Sequence, residues 1–172
     1  MVGKVAALSR FISKMSDKCK PFFDSIKQSG SLVWGETQSQ ALKTIKEYMS
    51  KPPTLAAPAE GEDLYLYLAT SDAAVSAVLL REEDKKQQPV YYTSKMLTDA
   101  ESRYSVVEKV VLALVTAKKK LRQYFESHAI TIITSYPLRQ VLSKSDLSGR
   151  LTKWAIELGV YDIQYVPKTS RK

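Results

Sequence analysis

Residues 50–61, Ser-Lys-Pro-Pro-Thr-Leu-Ala-Ala-Pro-Ala-Glu-Gly, separate two incompatible periodicities and so constrain the fold more than any other stretch. Each proline lacks an amide donor and fixes its own φ, and the residue before it is pushed toward extended backbone, so no helix crosses this segment. It reads, over 51–61, as a Pro-rich extended connector. Upstream, apolar residues recur at helical spacing. Val5, Leu8, Phe11, Ile12 and Met15 share one face of a helix over 4–15. Cys19, Phe22, Phe23 and Ile26 share a face of a second helix, which Ser16-Asp17 would cap and whose first turn would hold Pro21. A turn around Gly30 follows, and then Ala41, Leu42, Ile45, Tyr48 and Met49 line a helix over 36–49. Downstream, the period changes. Strands are expected at about 64–69, 75–81 and 89–95, at hairpin spacing. A long helix over about 105–125 is apolar over a wide arc, as in a helix packed on a sheet. The β-branched run 129–134 reads as a buried strand. A short helix carries Leu138, Val141 and Leu142. A further helix over 148–158, capped by Asp146 or Ser148 and stopped by Gly159, leads to a last strand at 161–166 that Pro167 ends. The order β-β-β-α-β-α-β predicts the α/β class: an α+β mixed sheet of five strands flanked by helices, over 62–168, preceded by a small helical segment over 1–50.

Composition narrows the functions available. The 172 residues suit one domain with a small attachment. One cysteine, Cys19, and one histidine, His128, exclude an internal disulfide and a zinc site of the usual ligand count. No apolar run reaches the roughly 18 residues that cross a membrane, and Val5–Leu8 is too short for a signal-peptide core, so no membrane partner is expected and an intracellular location, cytoplasmic or nuclear, is. The net charge of +8 favours a polyanionic partner. Its densest cluster is Lys118, Lys119, Lys120 and Arg122, a candidate surface for the phosphate backbone of a duplex or, equally, a solvated helix end that complements the helix dipole. Lys4, Arg10, Lys14, Lys18 and Lys20 add charge to the helical segment. Tyr65, Tyr67, Tyr91 and Tyr92 alternate on strands as half-buried sheet residues, and His128 reads as structural. Ser105-x-x-Glu108 is a capping box, in which Ser105 accepts from the third helical amide and Glu108 reaches back to the cap.

The motifs in their order carry a resemblance. Leu64–Ala69 runs into Thr70-Ser71-Asp72, then Val75–Arg81, Pro89–Lys95, Arg103–Lys109 and Ile130–Ser135. This set resembles the RNase H-like domain of gypsy-type retrotransposon reverse transcriptases, the plant elements in particular, and the strand–helix order above is that of the RNase H-like fold. Gly3–Lys14 looks like the end of the polymerase region, and Trp34–Pro53 like the segment that joins it to RNase H. The resemblance implies two-metal hydrolysis of the RNA strand of RNA–DNA hybrids, with Mg²⁺ held by several carboxylates. Matched position by position, however, the acid expected on the first strand falls on Ala69, and the acid expected at the end of the fourth strand falls on Ser135. Only Glu108 remains, and a fourth acid has no counterpart before Lys172. The resemblance therefore implies a fragment of a retroelement polyprotein whose RNase H-like domain is degenerate: no intact catalytic set, no metal or other cofactor, and a role in positioning duplex nucleic acid beside the rest of the polyprotein. Two alternatives stay open. One is an active nuclease built from Glu108, Asp72 and a further acid such as Asp99. The other is a host-retained module that binds nucleic acid or protein.

Overall fold

The computed structural model describes residues 8–30, 33–144 and 149–168. The helical segment comprises α1 (Met15–Ser29) and α2 (Glu36–Ser50). Ile12, Met15, Cys19, Phe22 and Ile45 form its own small core, with Ala41, Leu42, Tyr48 and Met49 packed against it. The apolar spacing of 36–49 thus gives the helix and the face expected of it.

The expectations for residues 4–21 are corrected. Of the helix read over 4–15, the described part is a single 3₁₀ turn, Ser9–Phe11, and residues 1–7 lie outside the described residues. Ile12 is extended and Lys14 takes a left-handed φ of 50°, which ends any helical run before Met15. Because α1 begins at Met15, Ser16 and Asp17 are inside the helix and cap nothing, and Pro21 is interior rather than in the first turn. Its missing amide leaves the Asp17 carbonyl without its usual helical donor. Gly30, at φ 70°, closes α1 as its C-cap, and its amide donates to the Ile26 carbonyl at 2.9 Å.

Beyond the connector the chain builds β1 (Leu64–Thr70), β2 (Ala74–Glu83), β3 (Lys86–Met96), the short α3 (Asp99–Ser102), α4 (Val106–Lys120), α5 (Arg122–Ser127), β4 (Ile130–Thr134), α6 (Leu138–Leu142), α7 (Gly149–Leu158) and β5 (Ile163–Pro167). The five strands form one mixed sheet in the order β3-β2-β1-β4-β5. β1–β2 and β2–β3 are antiparallel, whereas β1–β4 and β4–β5 are parallel. The connections explain this pattern. A short turn reverses the chain between the first three strands, whereas β4 and β5 are each reached through helices, which return the chain to the same end of the sheet.

The first three strands outrun their sequence estimates, whereas β4 and β5 begin one and two residues later than expected. β2 and β3 meet at Glu83↔Lys86 through the two-residue turn Asp84-Lys85, with φ of 50° and 61°, where a longer loop was expected. Two left-handed residues match the twist of a hairpin. Pro89 is tolerated because β3 is an edge strand and the register slips between Leu79 and Leu80 beside it. The connector covers that edge, with the Ala56 amide donating to the Pro89 carbonyl at 2.8 Å.

The long helix expected over 105–125 is two helices with a break at Leu121, which is itself buried. In α4, every residue from Val110 to Val115 is buried. That follows from burial on both sides, because α4 lies between the sheet and α7. β4 is fully buried on the face of Ile130 and Ile132, while Thr131 and Ile133 are only half-buried. The caps expected of α7, Asp146 and Ser148, lie outside the described residues. Pro167 is the last residue of β5 rather than its stop.

Candidate functional site

Three elements end together at one edge of the sheet. The β1–β4 register runs Leu64↔Ile130 through Tyr67↔Ile133. Carried two residues further, it sets Ala69 beside Ser135. Glu108 stands in the first turn of α4, which crosses β1 and β2. At the positions where the resemblance leads one to expect acids, one residue is a methyl group and the other an exposed hydroxyl.

Both carboxylate oxygens of Glu108 have partners. Its Oε2 accepts from the Ser105 amide at 2.9 Å and the Ser105 hydroxyl at 3.0 Å, while the Glu108 amide donates back to Ser105 Oγ at 3.3 Å. This is the capping box expected from the sequence. Its Oε1 accepts from Arg150 Nη1, on α7, at 2.7 Å. The Arg150 guanidinium lies over the Tyr104 ring, 3.8 Å from the centroid, and Tyr104 in turn faces Trp154 of α7 at 6.3 Å. Desolvation alone would raise the Glu108 pKa, but the hydrogen bonds from Ser105 and Arg150 together outweigh it and hold the carboxyl below its ordinary value.

The other acids considered for catalysis lie elsewhere. Asp72 and Asp99 line a cleft between α1, the end of β3 and α3, together with Lys20 and Lys27. Asp99 is paired with Lys27 at 2.8 Å, and both side chains are well exposed. Among the described residues, no three His, Cys, Asp or Glu side chains are grouped so as to hold a metal ion. A nuclease built from Glu108, Asp72 and Asp99 thus finds no shared geometry here. The edge does not fit Mg²⁺, which needs several anionic oxygens in octahedral order.

The expectation of a single basic face is also corrected. Lys118 is 7% exposed, pairs with Glu157 of α7 and lies 5.6 Å from the centroid of the Tyr161 ring. Its position on α4 points it into the α4–α7 seam rather than outward. Lys120 reaches the Ser94 carbonyl at 2.8 Å, and desolvation there lowers its pKa. Arg122 pairs with Glu126 at 2.6 Å. Lys119 is the one of the four with a largely exposed side chain and only a long contact, 3.9 Å to Glu157. The tyrosines Tyr65, Tyr67, Tyr91 and Tyr92 are all half-buried, and Tyr67 bonds Gln87 at 3.2 Å. His128 Nδ1 is 2.8 Å from the Glu62 carbonyl, a structural contact.

Arg150 is the site residue that sequence reasoning missed. Nothing in its neighbours marks it, and only the parallel packing of α7 on α4 brings it to Glu108. The junction of the helical segment with the sheet was likewise not legible. The Ser16 amide donates to Ser94 Oγ at 2.9 Å, the two hydroxyls lie 3.0 Å apart, and Ser71 Oγ donates to Asp17 Oδ1 at 2.8 Å.

A mixed sheet in this order, with flanking helices and three elements meeting at the edge of β1 and β4, defines the RNase H-like class. Residues 34–132 match the family described as the RNase H-like domain found in reverse transcriptase, and the chain belongs to that family. Over 152 residues it is 34% identical to the Transposon Tf2-3 and Tf2-4 polyproteins of Schizosaccharomyces pombe, covering 88% of this chain and 11% of each relative. The chain thus corresponds to an RNase H-like segment of a retrotransposon polyprotein and spans about a tenth of the relatives' length. The fold is shared with the foamy viral protease–reverse transcriptase in complex with dsDNA, at TM-score 0.81 and 18% identity over 99% of this chain and 37% of that one. The same protein in complex with RNA/DNA hybrid gives TM-score 0.76 at 18% identity, over 99% and 24%. Among the described residues, no helix is long and apolar enough to cross a membrane.

Proposed function

We propose that this chain is a non-hydrolytic RNase H-like domain that positions duplex nucleic acid within the reverse transcriptase of a gypsy-type element, of the plant group its motifs resemble. Residues 1–50 act as the end of the polymerase region, 51–61 as the connector and 62–168 as the RNase H-like body. It works inside the cell, beside the remainder of its polyprotein. The observation that carries the reading is the chemistry of the sheet edge. Ala69 and Ser135 offer no anion, and both oxygens of Glu108 are committed to Ser105 and Arg150. A duplex partner is supported by the charge of +8 and by structural neighbours whose complexes hold dsDNA and RNA/DNA hybrid.

The test is incubation of the purified chain with labelled RNA–DNA hybrid in Mg²⁺ or Mn²⁺. No cleavage is expected. Metal-dependent cleavage that Glu108→Ala abolishes would overturn the reading and establish an active ribonuclease H.

A further inference from the structure

We propose that the Arg150 guanidinium is a built-in replacement for the divalent ion at this edge, and that it would exclude a metal even if the missing acids were returned. The proposal rests on the non-hydrolytic reading above and gives Arg150 a role of its own in it.

Glu108 has two carboxylate oxygens, and each has a separate owner. Oε2 belongs to the Ser105 cap, so a metal there would have to displace a capping bond of α4. Oε1, the remaining oxygen, holds Arg150 Nη1 at 2.7 Å. A guanidinium at that distance stands where an ion would need to approach, and it carries the same sign of charge. It cannot withdraw by losing its proton, because arginine stays protonated in proteins. Nor is it loose: its Cζ lies 3.8 Å from the centroid of the Tyr104 ring, and the Trp154 ring of its own helix lies 6.3 Å from that ring. The Arg150 side chain is exposed, at 41%, and that of Glu108 is at 18%, so the guanidinium is held by its bond to Glu108 and by the Tyr104 ring rather than by burial. A single fixed cation balances a single carboxylate. That match accounts for an edge whose other two positions are neutral, since one anion needs one positive charge rather than two dications.

A consequence separates this proposal from simple loss of ligands. Ala69→Asp with Ser135→Asp would supply three acids yet remain a poor metal site while Arg150 stays. The experiment measures Mn²⁺ affinity by isothermal titration for the parent, for Ala69→Asp/Ser135→Asp, and for that pair combined with Arg150→Gln or with Arg150→Lys. The Gln triple variant should bind Mn²⁺ about tenfold or more tightly than the double variant, a gain typical of changes around a ligating carboxylate. The Lys triple variant, which keeps a cation at Oε1, should bind no more tightly than the double. Equal affinities in the double and Gln variants, or in the Gln and Lys variants, would overturn the proposal. If the Gln triple variant is unfolded without metal, recovery of its circular dichroism by Mn²⁺ supports the proposal, and failure to recover at millimolar Mn²⁺ overturns it. Hydrolysis of hybrid by the parent chain would instead sink the reading of the edge as non-hydrolytic, so the two failures are distinguishable.

Discussion

At the scale of single residues, the Glu108–Arg150 pair sets a pH dependence with a definite sign. The folded pKa of Glu108 lies below its ordinary value, so the carboxylate's contribution is complete above the unfolded pKa and is lost as pH falls through the folded one. Arg150→Gln removes one partner of a pair that is partly exposed on the arginine side, so screening limits its worth to about 1 kcal/mol. For a chain of this size that is about 2–4 °C in melting temperature at pH 7. At a pH below the folded pKa, where Glu108 is protonated in both states, the deficit should shrink toward zero. Thermal melts of parent and variant across pH 3–7 read this directly, and a deficit that grows on acidification would contradict the assignment. The Ser105–Glu108 capping box was legible in the sequence because its spacing fixes the two residues on the first turn of α4. Arg150 was not, because its role comes from how two distant helices pack, and spacing along the chain carries no such information.

At the scale of elements, α7 runs parallel to α4 and is tied to it by ion pairs at both ends, Arg150–Glu108 and Glu157–Lys118. The second bond holds the Glu157 carboxyl below its ordinary range, foremost through its hydrogen bond to Lys118. Lys118 and Lys119 are adjacent in sequence but differ in duty. Lys118→Ala should cost about 1–3 kcal/mol, since it strips a partly buried ion pair and leaves Glu157 without its nearest donor. Lys119→Ala should leave stability within about 0.5 kcal/mol of the parent, as surface changes generally do. Urea denaturation of the two variants settles the matter, and equal losses would mean the seam is misassigned. The β2–β3 hairpin offers a change in the other direction. Lys85 holds a left-handed φ of 61°, which costs a side-chain-bearing residue roughly 1–2 kcal/mol relative to glycine. Lys85→Gly should therefore stabilise the chain, by less than that strain because glycine also loosens the unfolded state. A lower melting temperature in the variant would show that the turn is unstrained. The sequence concealed this turn because Asp-Lys is not a usual signal for two consecutive left-handed residues. The helix break at Leu121 was equally hidden, since Leu121 and Phe125 continue the apolar face across it.

At the scale of the whole molecule, the order and type of the main elements were legible because three physical signals agree: the proline barrier at 52–58, the switch of period after it, and the helices between the parallel strands. The docking of the helical segment on the sheet was not, because it depends on small hydroxyls, Ser16 and Ser94, that carry no pattern. We expect duplex binding to be weak and steeply salt-dependent, each phosphate contact contributing about −0.9 to the slope of log affinity against log salt. Replacing Lys119, Lys120 and Arg122 by Gln, with Lys118 kept for stability, should flatten that slope by up to about 3 units. An unchanged slope in fluorescence-anisotropy titrations would place the phosphate contacts elsewhere, with the cations of the helical segment the next to test.

The central pairing of the sheet has a consequence for how such a chain comes to be folded as it is synthesised. β1, β2 and β3 follow one another in sequence and can zip together as soon as they emerge. The other edge of β1, with its unpaired backbone amides and carbonyls, must wait for β4 to be translated some sixty residues later, and β4 must then wait for β5. Until then the nascent chain presents an open strand edge, the feature that most readily captures a strand from a neighbouring chain. Polyproteins made at high local density on clustered ribosomes would meet that hazard first at β1, and the time until β4 is translated and pairs decides how long it lasts.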